Sequence, residues 1–280
     1  MRLSRTFKCW LLVFLFLFMP YLVEAIEIIQ IDQPKIRLNV LPGRKKAGTI
    51  MVSNPSSEAK HIKAYLEDWV YLGAGNGSKE FKPAGTTELS AANWISFSPA
   101  EFTVSPYGNK KVSYTIQIPE DARGGNYAIL FFESLLGEPP EIEGGVVVPL
   151  AIRIGALFYI ESEGTIVRKA GIENIKIERK EVNSPLMLQA DFTNRGNVDI
   201  TANGTFYIID KNGMVYGRGR FNDVYTFPDY KVKLYAECKE VITAGEYDLV
   251  ITLEIGGGET LVEELRIKIT SDGKIITFTD

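Results

Sequence analysis

Histidine and cysteine are almost missing from this chain, which holds one His and two Cys in 280 residues. The lone His61 stands at the start of an alternating stretch between Lys60 and Lys63, a setting for a structural side chain rather than a general base. One His and two Cys leave no ligand set at zinc spacing. Cys9 falls in an apolar leader, so Cys238 is the only thiol of the remainder and an intramolecular disulfide is excluded. Cys238 reads as a buried structural cysteine, although its neighbour Lys239 would tend to lower a thiol pKa. No glycine-rich loop follows a strand and opens a helix, so a phosphate cradle is missing too. Asp210-Lys211-Asn212-Gly213 opens like a calcium loop but lacks the downstream glutamate, and reads as a hairpin turn. Glu101, Asp121 and Glu133 are scattered, with no basis for pairing any two as acid and base. Basic excess is absent as well. The formal net charge of −4 falls to −6 once the leader's three basic residues and one acid are set aside, and no basic patch is interleaved with aromatics. The electrostatic term that dominates nucleic-acid binding is therefore missing. These absences name no catalytic residue, metal or cofactor, and they point away from an enzyme.

What is present begins with the leader. Arg2, Arg5 and Lys8 precede the apolar run Cys9 to Met19, Pro20 breaks it, and Val23-Glu24-Ala25 ends it on a small residue. Residues 1–25 thus read as a signal peptide, with export to the periplasm or cell envelope expected. The run is too short to span a bilayer, which takes roughly twenty residues, and no later stretch comes close, so no stable membrane span is expected.

From Ile26 onward the apolar residues recur with period two, and turn residues fall every eight to twelve positions. That is the pattern of sandwiches built from short strands. Strands are expected over 26–32, 36–40, 48–53, 61–69, 94–97, 111–118, 126–133 and 146–160, with Trp94 as a core anchor. After a polar break at 162–169 come seven more, over 172–182, 186–193, 200–210, 214–220, 232–237, 247–255 and 260–269. Seven strands match one immunoglobulin-like module. The expected architecture is all-β, with two immunoglobulin-like β-sandwich domains in tandem over 26–162 and 170–280.

One strand stands out. In 146–160, Val146, Val148, Leu150, Ile152, Ile154, Phe158 and Ile160 share a face, and the other face is also largely apolar. Pro149 suits an edge strand, and a long apolar edge needs something to pair with it. Strand addition to a partner protein is one use, and passage through the sandwich core is the alternative.

Several stretches of the first domain, taken in order, resemble PapD-like periplasmic chaperones. They are Leu41-Pro42-Gly43, Thr49-Ile50-Met51-Val52-Ser53-Asn54, Asp68-Trp69, Trp94-Ile95-Ser96-Phe97-Ser98-Pro99 and Phe102-Thr103-Val104-Ser105-Pro106, followed by Ile118-Pro119-Glu120-Asp121-Ala122, Gly124-Gly125-Asn126-Tyr127 and Leu157-Phe158-Tyr159. The resemblance implies a protein that holds pilus subunits by completing their sheet with its own strand, here Val146, Val148, Leu150, Ile152 and Ile154. It also implies two basic residues gripping the subunit's terminal carboxylate between the domains. Lys35 falls where the first would be. Where the family has a lysine before its Leu-Phe-Tyr-like triplet this chain has Gly155-Ala156, and Arg153 is the nearest substitute. The second domain resembles immunoglobulin-like modules of exported bacterial proteins. The expected partner is an exported pilus-like or other surface subunit, and Arg153→Ala is expected to abolish its capture. A structural or adhesive envelope module, its edge covered by its own second domain, is the other reading.

Overall fold

The computed structural model describes residues 28–135, 150–182 and 184–278. The expected leader, residues 1–25, lies outside them. The alternating stretches become strands, and the described part is all-β apart from one turn of 3-10 helix at Ala92–Trp94.

The first group of strands is β1 (Gln30–Ile31), β2 (Lys35–Val40), β3 (Lys45–Ser53), β4 (Lys60–Tyr71), β5 (Lys79–Pro83), β6 (Ile95–Ser98), β7 (Glu101–Val104), β8 (Asn109–Gln117), β9 (Gly125–Leu135) and β10 (Ala151–Ser162). They form two facing sheets, one in the order β1-β3-β8-β6, the other β2-β10-β9-β4-β5 with β7 also on β4. Alternate residues of each strand point between the sheets. Ile50 and Val52 from β3 and Val112 and Ile116 from β8 therefore meet Ile62, Leu130, Phe132, Phe158 and Ile160, all essentially without solvent exposure. Side chains of this size contribute about 1.5–3 kcal/mol each on burial. β9 is buried along almost its whole length because its second face is covered as well. That explains why Tyr127 to Phe132 reads as a continuous apolar run rather than an alternation.

The second group is β11 (Ala170–Glu178), β12 (Leu186–Asn194), β13 (Ile200–Ile209), β14 (Val215–Arg220), β15 (Val224–Thr226), β16 (Lys231–Cys238), β17 (Gly245–Gly256), β18 (Glu259–Ile269) and β19 (Ile275–Phe278). One sheet runs β11-β12-β16, the other β14-β13-β17-β18-β19 with β15 on β13. Their shared core includes Leu188, Phe192, Phe206, Leu234, Leu249 and Ile267. Asp210 to Gly213 is a tight turn in which Asp210 Oδ1 accepts from the Asn212 and Met214 amides.

Several expectations change in detail. The long strand expected from Val146 begins at Ala151; residues 146–149, with Val146 and Val148, lie outside the described residues, and Leu150 precedes the strand. Trp94 is only partly buried, because it sits in the 3-10 turn and packs on the core from its rim. The fully buried tryptophan is Trp69, on the outer face of β4. Cys238 is buried, and burial and a hydrogen bond to Glu240 push its thiol up to about 11, opposite to the effect expected of Lys239.

Candidate partner-binding edge and cation cleft

β10 lies at the centre of the candidate site because its two halves have different neighbours. β2 runs parallel to it only from Leu157, beside Lys35, to Ser162, beside Val40. The Leu157 amide donates to the Pro34 carbonyl at 3.0 Å. Before Pro34 the chain belongs to the other sheet: Gln33 Nε2 donates to the Thr49 carbonyl at 2.9 Å and the Asp32 amide to that of Met51 at 3.2 Å. The stretch Ala151–Ala156 is therefore paired with β9 on one side and, among the described residues, with nothing on the other. Alternate residues of a strand direct their N–H and C=O groups to the same edge. Leu157 directs its amide toward β2, so Gly155, Arg153 and Ala151 direct theirs to the unpaired edge.

The inward row of this half strand passes from core to solvent. Ala156 is fully buried, Ile154 and Ile152 are partly buried with Ile154 against the core, and Leu150 is 66 % exposed. Of the five residues expected to be donated, the described three thus form an apolar row that emerges between the sheets.

The two expected carboxylate anchors are not brought together. Arg153 lies four residues before the Leu157 that neighbours Lys35, about 13 Å along the strand. Its guanidinium sits over the rings of Phe131 (4.1 Å) and Phe81 (5.3 Å) and pairs with Glu67 at 2.9 Å. It also donates to Tyr65 OH at 3.3 Å. The cause is lateral: β9 and β4 supply an aromatic floor and an acid that no local sequence around Arg153 reveals.

Lys35 meets a different cation. Its Nζ lies 4.6 Å from the Tyr159 ring centre, and Lys79 Nζ lies 5.3 Å from that of Tyr71 and 5.6 Å from that of Trp69. The two tyrosine hydroxyls are 3.3 Å apart and buried. Burial and the charge of Arg37 hold Lys35 below the ordinary lysine pKa, with Asp199 opposing; burial and the charge of Lys35 lower Lys79. Lys79 donates to the Gly77 carbonyl, and among the described residues neither ammonium has a carboxylate at salt-bridge distance. Of the hydroxyl pair one donates to the other, and the remaining proton has no acceptor among the described residues. Two ammonium groups and a spare hydroxyl with no acid among them suit an anionic oxygen ligand. Lys79 was not found from sequence because β5 is short; its only signal was a charged stretch after the glycine-rich 73–78 turn.

Among the described residues the second sandwich packs beside this cleft and not along the unpaired half of β10. Phe227 stacks on Tyr127 with ring centres 4.3 Å apart and contacts Trp69 and Tyr71. The Tyr225 amide donates to the Gly75 carbonyl. Arg37, two residues along β2 from Lys35, pairs with Glu161 (2.6 Å) and with buried Asp199 (2.7 Å), and Arg168 joins Glu161 at 2.6 Å. Tyr127 OH accepts from the Asp199 amide at 2.6 Å. Gly124, at φ +63°, lies so close to Asn197 that a Cβ there would stand 2.3 Å from its carbonyl oxygen.

Among the described residues no group of three or more His, Cys, Asp or Glu is placed to hold a metal ion, and no helix is long and apolar enough to cross a membrane. No family model and no curated protein sequence matches the chain. Among solved structures its fold is similar to that of fimbrial chaperones. The Class 5 fimbriae chaperone CfaA aligns at 15 % identity, covering 85 % of this chain and 98 % of that one with a TM-score of 0.48. A chain of the Salmonella enterica SafA pilin–SafB chaperone complex aligns at 10 % identity, covering 85 % and 97 % with a TM-score of 0.41. The Pseudomonas aeruginosa CupB2 chaperone aligns at 12 % identity, covering 85 % and 98 % with a TM-score of 0.40.

Proposed function

We propose that this chain is an exported, non-enzymatic chaperone that holds another exported protein by strand addition along the Ala151–Ala156 half of β10. It is composed of two domains, 26–162 and 170–280, after a signal peptide, and works in the periplasm or cell envelope. The observation that carries the reading is an apolar strand edge, unpaired among the described residues, that ends beside Lys35 and near Lys79, neither of which has a carboxylate at salt-bridge distance among those residues. Main-chain hydrogen bonds to Ala151, Arg153 and Gly155 give affinity, and Leu150, Ile152 and Ile154 face the partner's core. At the end of that edge Lys35 and Lys79 receive the terminal carboxylate of the added strand. Lys79 takes the place of Arg153 as the second anchor, since Arg153 lies four residues along β10 from the Leu157 that neighbours Lys35. The PapD-like pattern of the first 162 residues supports a partner that is a β-rich subunit of a pilus or other surface assembly.

Purification of the protein from the periplasm of its host, followed by mass spectrometry of copurifying chains, tests this. A small exported subunit is expected with the wild type and with Arg153→Ala, and lost with Lys35→Ala/Lys79→Ala. Each charge-assisted contact contributes about 1.5–3 kcal/mol, so the double variant loses roughly a hundredfold or more in affinity. A lone protein in every sample contradicts the reading.

A further inference from the structure

Lys79 is placed by a turn that is fastened to the other sandwich. Residues 72–78 join β4 to β5 and close on themselves: the Leu72 amide donates to the Ser78 carbonyl at 2.9 Å and the Ser78 amide to Asn76 Oδ1 at 3.0 Å. The same turn meets the second sandwich at two points. At the first, the Tyr225 amide donates to the Gly75 carbonyl at 2.9 Å, and a Cβ on Gly75 would stand 2.9 Å from Val232. At the second, the Tyr225 ring lies so close to Gly77 that a Cβ there would be 3.0 Å from its Cδ2. Both glycines have left-handed backbone, at φ +70° and +82°, which a side chain would strain as well. The Gly77 carbonyl in turn accepts from Lys79 Nζ at 3.0 Å. An ammonium has three N–H donors, so others remain for a ligand. The Tyr225 ring also faces that of Tyr71, with centres 5.8 Å apart, and Tyr71 is the residue paired with Lys79. Lys35 is placed differently, by a pairing of β2 with β10 that stays within the first sandwich.

We infer that Tyr225, through the turn at Gly75 and Gly77, is the positioning residue for Lys79, so that the second sandwich sets one half of the carboxylate anchor. The inference rests on the reading of Lys35 and Lys79 as that anchor and adds what holds Lys79 in place. A turn tied down at Gly75 and Gly77 fixes the Gly77 carbonyl, and the ammonium bonded to it is held over Tyr71 before a ligand arrives. Freed from Tyr225, the turn and the long lysine side chain have to be ordered at the moment of binding, which subtracts from affinity.

The test uses the full chain and short peptides of alternating valine and serine, each made with a free terminal carboxylate and with a terminal amide, and reads binding by fluorescence anisotropy. The ratio of the two affinities reports the anchor, because both peptides add the same strand to β10. In the wild type the carboxylate form is expected to bind roughly a hundredfold more tightly, and Lys79→Ala to lower that ratio about tenfold. Tyr225→Ala is expected to lower it about fivefold, the effect of ordering one lysine side chain, with the affinity of the amide form unchanged. Tyr225→Phe keeps the ring against Gly77 and is expected to retain the wild-type ratio. In the Lys79→Ala background Tyr225→Ala is expected to change nothing further, since a residue acting through Lys79 has no effect without it. Gly77→Ala, which pushes the turn off the Tyr225 ring, is expected to act like Tyr225→Ala and serves if that variant fails to fold. A ratio that neither variant moves, or that falls as much in the absence of Lys79, overturns the inference and leaves the anchor standing. A ratio indifferent to Lys79→Ala overturns Lys79 as an anchor, and this inference with it. Peptides that bind in neither form overturn strand addition and the inference together.

Discussion

Two half-strands of the first sandwich are without a neighbour among the described residues, and they are built in opposite ways. In β3, the pairing with β1 covers only Val52 and Ser53, so its first half has one free edge, and that half carries the exposed Lys45 and Lys46. In β10 the first half is equally free but carries Ile152, Ile154 and Gly155, with its single charge turned outward and tied to Glu67. A lysine-bearing edge repels added strands, whereas an apolar one invites them. Four other edges are blunted by charge, shortness or irregularity. β5 holds Lys79, Glu80, Lys82 and Pro83 in five residues, β6 and β19 have four residues each, and β11 is bent by an irregularity between Glu173 and Lys176. The difference teaches that the open half of β10 lacks the charge that guards the matching half of β3.

Giving β10 the protection of β3 has the largest expected effect. Ile152→Lys places an inward-pointing charge in a partly exposed row. It is expected to reduce affinity for an added strand by roughly a hundredfold or more, with a change in stability within about 1 kcal/mol. Calorimetric titration and thermal unfolding of the same variant separate the two effects. The reverse exchange is smaller. Lys45→Val/Lys46→Val is expected to leave capture at β10 unchanged and to make the protein self-associate weakly through β3, seen as a rise in sedimentation coefficient with concentration. A strictly monomeric double variant would mean that the lysines do not guard that edge.

The fold was legible where alternation was long. The strands around Ile50, Ile62, Val112 and Phe206 follow from period two, and the polar break near 162–169 separates the two cores. Short strands were not: β5, β7 and β15 have too few residues for a period to register. Trp94 and Trp69 are equally large in sequence, and only the packing of a second sandwich on the outer face of β4 buries the latter. Of the proposed site, the sequence pointed to the strand and to Lys35. It did not point to the second cation, because Lys79 reaches the cleft through the pairing of Lys79 with Tyr71, a register set by a turn rather than by any pattern around the lysine. The surroundings of Arg153 were not legible for the converse reason, since its partners Phe81, Phe131 and Glu67 are distant in sequence.

The central claim is that the first half of β10 offers a free edge to a partner, and amide hydrogen exchange read residue by residue tests it most directly. In the protein alone the amides of Arg153 and Gly155 are expected to exchange quickly while those of Ile152 and Ile154, bonded toward β9, exchange slowly, and a bound strand is expected to protect all four. Slow exchange at all four positions in the protein alone would contradict the account, because the edge would then already be paired.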